Sequence, residues 1–377
     1  MRWLAGLGVV LAAIAGALYA VGYFLLPNTL EITRTVTIER PRATVFAQVN
    51  DLRIVKEWSP VYARDPAATY TFSADSAGEG QWMRWDGGER QVGDGELTIV
   101  RSRPSEGVYA VLRLGRRASF DSDVRLMTGQ APRGVVTNVA WRISAMCAPS
   151  AINIPCRYMN LVLQRQIERD LDAGLALLKE RAERLPDVDF AGLTPEFLSL
   201  PPQPFLYIPV SVTPAQAGEY LGPAAAQESQ AAAPAGEAAA QRRAAEETER
   251  RTAAAIEQAR QRAETALTSN QLIRAGPLTR VTTQFNDERI SFRIGYPYSG
   301  PAPLTLTGEE VGETPSGRVM RVLFEGERSE LPALYARAYA YLEAHNVERR
   351  GDGLPWERVL SDPGEPRVRI EIFYPIQ

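Results

Sequence analysis

The chain has 377 residues, 45% of them hydrophobic, which is enough for two domains with separate cores and further segments besides. Its 42 basic and 45 acidic residues leave a net charge of -3, a balance that excludes nucleic acid as an expected partner because nothing attracts a phosphate backbone. One histidine, His345, and two cysteines, Cys147 and Cys156, exclude a zinc or transition-metal centre built from such ligands, and neither metal nor cofactor is expected.

Residues 3–30 carry no charge, and residues 4–26 are dominated by Leu, Val, Ala, Ile and Gly. That length predicts a helix able to cross a hydrocarbon core of about 30 Å, with Trp3 at one interface, Tyr23 and Phe24 at the other, and Pro27 ending it. Residues 1–27 are therefore expected to be a single-pass anchor reaching the bilayer through residues 3–26. The competing reading is a cleaved signal peptide, with Ala15, Gly16 and Ala17 as small residues where a peptidase could cut. The short amino terminus favours domains outside the cytoplasm.

Residues 28–187 read as an α+β domain. Leu30, Ile32, Val36 and Ile38 alternate with polar residues as a half-buried strand requires, a short helical pattern with Val45, Phe46 and Val49 follows Pro41, and several strand-like runs come after Trp58. The stretch closes on a long helix whose Leu163, Ile167, Leu171, Leu175, Leu178, Ala182 and Leu185 form one apolar stripe. An antiparallel sheet gripping such a helix encloses an apolar hollow, with Trp58, Trp82, Trp85 and Trp141 as candidate walls or plain core. Cys147 and Cys156 are placed to close a short loop by disulfide in an oxidising compartment, or to stay reduced and buried.

Pro41, Val45-Phe46, Trp58-Ser59-Pro60, Gly78-Glu79-Gly80 before Trp85, Gly93-Asp94-Gly95 and Leu175-Ala176-Leu177-Leu178-Lys179 together resemble the SRPBCC superfamily, the polyketide cyclase and START-like helix-grip proteins. The resemblance implies a cavity for lipids, polyketides or other apolar molecules, and implies fold better than chemistry.

Prolines between 188 and 201 predict a linker. Residues 202–377 read as a duplicated strand-helix-strand-strand unit, interrupted at about 223–250 by an alanine-rich insertion too poor in large apolar residues to bury a core. That insertion is expected to be solvated, passing into a helix; a helix that binds a protein partner, making the chain a scaffold, is the alternative. A second helix is expected from Ser329, its cap, with Pro332 in the first turn.

Ile294-Gly295-Tyr296-Pro297, Thr314 to Arg318, Phe324-Glu325-Gly326, Leu334-Tyr335, Trp356-Glu357 and the ending Ile370 to Ile376 resemble the gyrase-inhibitor-like (GyrI-like) effector-binding domain, also the ligand sensor of AraC-type and MerR-type regulators. The resemblance implies an aromatic-lined cleft with a glutamate at its floor, Glu357, walled by Trp356, Tyr296, Tyr335 and Phe324. On residue chemistry alone, a carboxylate beside aromatic rings suits a cationic ligand with an apolar body, or a solvated strand position paired with Arg358 or Arg367.

The expected function is a membrane-anchored binding protein for small hydrophobic or cationic aromatic molecules, with Trp58, Trp85 and Trp141 lining one cavity and Glu357 the other. No catalytic residue is expected on that reading. The alternative is a hydrolase of small strained toxins, with Glu357 as general base.

Overall fold

Alternation along Thr29–Ile38 (β1) comes out as the sequence pattern predicts: Leu30, Ile32 and Ile38 are buried and Thr29, Glu31 and Thr33 are exposed. A computed structural model describes the chain except residues 1, 88–92, 116–117, 133, 149–152, 213–252, 286–288, 302–305, 352–353, 363–364 and 366, and the side chains of 2–9, 212 and 285. It divides into two units, Met1–Ala191 and Gly192–Gln377. The alanine-rich insertion lies outside the described residues.

In the first unit β1 is followed by three short helices, Arg42–Asn50 (α2), Leu52–Trp58 (α3) and Pro60–Arg64 (α4). Two of their starts are written locally: the Asp51 carboxylate accepts from Arg53 N, and Ser59 Oγ accepts from Val61 N with Pro60 at the first helical position. Six strands follow: Thr69–Phe72 (β2), Trp82–Asp86 (β3), Asp94–Arg103 (β4), Gly107–Leu114 (β5), Ala118–Ala131 (β6) and Gly134–Met146 (β7). They join β1 in one antiparallel sheet of order β1-β7-β6-β5-β4-β3-β2.

The long helix Ile154–Glu183 (α5) closes the unit and lays Leu171, Leu175, Leu178 and Ala182 against the sheet. Leu175, Leu178 and Ala182 join Val45, Val49, Leu52, Ile54 and Val139 in the main core and Leu171 joins Leu30, Ile32, Phe120 and Ile143 in a second cluster, so the mixed α+β layout with a long closing helix stands as expected. Cys147, just after β7, is joined by a disulfide to Cys156 in the first turn of α5.

The helix Arg2–Phe24 (α1) precedes β1. The expected spanning helix over residues 3–26 is not shown: among the described residues, no helix is long and apolar enough to cross a membrane. Side chains are described from residue 10 onward, and residues 10–24 fall short of the ~20 that a crossing needs.

The second unit is a nine-stranded sheet carrying two helices, residues 253–269 (α6) and Leu331–Ala344 (α7). Its strands are Glu196–Leu200 (β8), Pro204–Val212 (β9), Ile273–Arg274 (β10), Leu278–Phe285 (β11), Ile290–Ser299 (β12), Glu310–Glu313 (β13), Gly317–Glu327 (β14), Trp356–Val359 (β15) and Arg367–Pro375 (β16). The main path runs β13-β9-β12-β11-β15-β16-β14-β8. Reading outward from the β11–β15 pair, β12 and β9 on one side answer β16 and β14 on the other, which is the duplication seen in the sequence. Each half has its helix: α6 covers Ile290, Phe292 and Ile294, and α7 covers Val322, Phe324 and Ile370.

Two local expectations are corrected. Residues 196–200, inside the stretch expected as a linker, pair with β14 as the edge strand β8, because Leu198 and Leu200 pack into the sheet's second core. The cap before α7 is not Ser329: Glu327 and Glu330 form a reciprocal capping box around the 3₁₀ turn Arg328–Glu330, where a carboxylate meets the backbone N–H groups.

Candidate functional sites

Glu357 sits on β15, beside β11, at the middle of the second unit's sheet. Its register partner is Arg280, on the face that carries both helices. Glu357 is only 3% exposed, and its Oε1 accepts from Arg280 Nη2 at 2.5 Å and from the Tyr335 hydroxyl. The Arg280 guanidinium also lies 5.6 Å from the centre of the Phe292 ring. Burial, and after it the Glu357 charge, push the Tyr335 phenol well above its ordinary range, so Tyr335 stays a donor.

Of the walls expected around Glu357, the structure brings Tyr335 to it. Trp356 is the next residue along a strand and therefore faces the other side, where it stacks on Phe373 at 4.0 Å among Phe205, Tyr207 and Val281. Tyr296 packs in the cluster beneath α6, its hydroxyl donating to Glu264 Oε1 at 2.7 Å, and burial pushes its phenol up to about 12. Phe324 is core beneath α7. Four buried polar atoms among the described residues of this unit lack a partner, Trp356 Nε1, Arg358 Nε, Ser361 Oγ and Tyr374 OH; Tyr374 OH lies on the helix face and Trp356 Nε1 on the opposite one. Sequence reasoning missed Arg280. A charge between Thr279 and Val281 on a strand was the available signal, but its partner is 77 residues away.

In the first unit the tryptophans separate by what their ring nitrogens do. Trp58 and Trp141 meet edge to face at 5.6 Å, and both N–H groups are consumed internally, by the Gln48 carbonyl and by Ser122 Oγ, each at 2.9 Å. These two are core. Trp85 is as buried as Trp58, yet its Nε1 has no partner.

Its surroundings explain how it got there. Trp85 and Tyr70 are cross-strand neighbours on β3 and β2, with rings 6.5 Å apart, and the indole lies over Gly95 on β4, where any Cβ would run into it. The Tyr70 hydroxyl is also buried and unpaired, as is Oδ2 of Asp65 at the end of α4. Asp65 is felt by Tyr70: burial first, then the Asp65 charge and Tyr62, push the Tyr70 phenol up to about 12. Lys56, on α3, holds its ammonium 4.7 Å from the Tyr62 ring and 4.8 Å from the Tyr70 ring. Five residues from α3, α4, β2 and β3 thus share one corner: Lys56, Tyr62, Asp65, Tyr70 and Trp85.

A groove of about 750 Å³ runs from Thr69 and Thr71 to Trp85 and Gly95. It is rimmed by Glu96, which Arg84 and Arg113 hold at 2.5 and 2.8 Å. The Arg84 hydrogen bond, working against burial, keeps the Glu96 carboxyl below its ordinary range. Sequence reasoning found Trp85 but missed Lys56, Asp65 and Tyr70. A signal existed, since only two of the 42 cationic residues are lysines and Lys56 is one of them. Among the described residues, no cluster of His, Cys, Asp and Glu could hold a metal ion.

No protein-family model and no curated protein matches this sequence. Solved structures resemble part of it. An uncharacterised protein from Rhizobium leguminosarum is 13% identical over 41% of this chain and 97% of that one, with a TM-score of 0.30. A protein from Thermobifida fusca is 19% identical over 42% and 95%, TM-score 0.30. The di-domain ARO/CYC StfQ from the steffimycin biosynthetic pathway is 10% identical over 41% and 51%, TM-score 0.29. At such scores the fold class stands on the strand order and closing helix of the first unit alone.

Proposed function

We propose that this is a membrane-anchored binding protein of SRPBCC type, and that its first unit takes up a small molecule with an apolar body and a hydroxyl-like head. One observation carries the reading: Trp85 Nε1, Tyr70 OH and Asp65 Oδ2 are buried, unpaired and gathered in one corner with the Tyr62 ring and the Lys56 ammonium. A buried polar atom without a partner costs about 1–3 kcal/mol, so three together favour a visitor that satisfies them. A hydroxyl can accept from the indole and donate to the carboxylate, and its apolar body would lie on the rings of Tyr62 and Tyr70.

Anchoring through residues 3–26 is supported by the described part of α1, where Val10, Leu11, Ile14, Leu18 and Val21 are all exposed, so the helix is apolar all round. The Cys147–Cys156 disulfide supports domains on the extracytoplasmic side, where such bonds persist.

The GyrI-like second unit fits capture of cationic aromatic molecules less well, because Arg280 already holds the Glu357 oxygen that a ligand cation would seek. The hydrolase alternative gains nothing either, since Trp356 and Glu357 face opposite sides of the sheet.

Titration calorimetry of the full chain in detergent, with 2-naphthol against naphthalene as probes, tests the proposal. The hydroxylated probe should bind more tightly, and Trp85→Phe should cost it about tenfold in affinity, or ~1.4 kcal/mol. Trp58→Phe, which removes an N–H already in use, should leave the preference for 2-naphthol intact. Equal affinity of wild type and Trp85→Phe for 2-naphthol overturns the reading.

A further inference from the structure

The end of α1 and the start of α5 are built into one corner. Arg157 Nη1 donates to the carbonyls of Gly22, Tyr23 and Leu26 at 3.2, 2.8 and 3.1 Å, capping the carboxyl end of α1 with a cation. Its guanidinium also lies 5.6 Å from the Tyr23 ring. One turn further back, the Tyr158 hydroxyl donates to the Leu18 carbonyl at 2.7 Å. Gly22 is what permits the approach, since a Cβ there would run into Ile154 and Tyr158. The Cys147–Cys156 disulfide ties the start of α5 to the end of β7, and Cys147 N donates to the Asn28 carbonyl at 2.8 Å.

Outside this corner the side chains are apolar and bare. Phe24, Leu25, Met146 and Val162 are 79, 73, 72 and 73% exposed, and Met159 is 54% exposed. A shallow hollow of about 530 Å³ joins Leu18 and Tyr19 of α1 to Tyr158, Met159 and Val162 of α5. From residue 154 to residue 164 the one charge on α5 is Arg157, and it is spent on the carbonyls of α1.

We propose that the start of α5 through Val162, with Met146, is a second membrane contact: it enters the interfacial layer of a phospholipid bilayer beside α1 and fixes the first unit against the surface. The inference rests on reading α1 as an anchor. The occupant is a bilayer because the patch is continuous with the bare apolar surface of α1, so the medium that covers one covers the other. Depth agrees. Leu18 lies about 9 Å along the axis from Phe24 at 1.5 Å per residue, and interfacial helices bury their apolar faces about 5–10 Å. Tyr19, Tyr23 and Tyr158 add the aromatic side chains that favour this layer.

The test uses the full chain in phosphatidylcholine vesicles whose acyl chains are brominated either near the headgroup or near the methyl end. Val162→Trp and Met159→Trp each report on the patch and Leu11→Trp on the anchor, read as emission above that of wild type. The expected result is about twofold quenching of the patch tryptophans by shallow bromines, and quenching of Leu11→Trp by deep ones. Patch tryptophans that escape both lipids while Leu11→Trp is quenched overturn the membrane contact and leave the anchor standing. If Leu11→Trp also escapes, the anchor reading falls and the inference falls with it. Quenching at positions 159 and 162 that disappears as protein density in the vesicles rises assigns the patch to a second copy of the chain, and overturns the proposal.

Discussion

Each unit buries a carboxylate among aromatic rings, but the two carboxylates are treated differently. In the second unit Glu357 is answered from within, by Arg280 and Tyr335 on one oxygen. In the first, Asp65 keeps an oxygen unpaired next to an unpaired phenol and an unpaired indole N–H. An internal guanidinium over Phe292 already does what a cationic aromatic ligand was expected to do at Glu357. A satisfied polar set holds a fold together, whereas an unsatisfied one adds nothing to stability until something binds it. Acidity and nearby rings therefore do not by themselves mark a site in this molecule; the proposed function rests instead on a carboxylate oxygen left unfilled beside other unfilled groups.

The harshest way to break that contrast is to remove Glu357. If its pair with Arg280 is structural, Glu357→Gln removes the carboxylate charge facing a guanidinium at 10% side-chain exposure and should destabilise the second unit by about 3–5 kcal/mol. Arg280→Met combined with Glu357→Leu should cost less than either substitution alone, because a buried pair replaced by apolar side chains is often neutral. Amide hydrogen exchange over α7, β15 and β16 measures both. A loss below about 1 kcal/mol for Glu357→Gln would mean that water or a ligand, not Arg280, was satisfying the carboxylate.

Much of the framework was legible because it is periodic. The α5 stripe, the alternation along β1 and the two strand-helix-strand-strand halves follow from spacings of 3.6 and 2. The sites were less so, for two reasons. Period two says that Trp356 and Glu357, as strand neighbours, face apart, yet a family likeness set them in one cleft. The other reason is long-range pairing: whether a tryptophan N–H is spent depends on a carbonyl or hydroxyl that folding brings to it, as Ser122 is brought to Trp141 from 19 residues away. Residue type predicts burial of Trp58, Trp85 and Trp141 alike. It cannot tell that only Trp85, of these three, has its N–H left over.

A gentler substitution sharpens the contrast within the first unit. Tyr70→Phe deletes a buried hydroxyl that has no partner, so the free protein should be unchanged or more stable by up to about 1 kcal/mol, while affinity for 2-naphthol should drop several-fold. Thermal unfolding and calorimetry on the same variant check the two signs. Tyr70 also carries a pH signature. Its phenol is raised to about 12 from an ordinary 10, so the unfolded chain ionises first and stability falls as pH rises from about 10 through 12. Tyr70→Phe should abolish that part of the alkaline loss.

The smallest expected effect comes from a pair with the same chemistry as Arg280–Glu357 but with its carboxylate open to water. On α6, Arg260 donates to both oxygens of Glu257, at 2.8 and 2.5 Å, and this hydrogen bonding, against a burial penalty, lowers the Glu257 carboxyl to about 2 from 4.5. A lowered carboxyl contributes stability that is present above about pH 4.5 and is lost as pH falls through 2. Glu257 is 44% exposed, so solvent screening limits the contribution to a few tenths of a kcal/mol, in line with exposed pairs one helical turn apart. Glu257→Gln should therefore lower the stability of the second unit by that amount at about pH 7, and the gap should close near pH 2. Urea unfolding at the two pH values measures it. An effect as large as that of Glu357→Gln would mean that burial does not separate the two pairs, and the distinction between a guanidinium that holds the sheet together and one that rests on its surface would be lost.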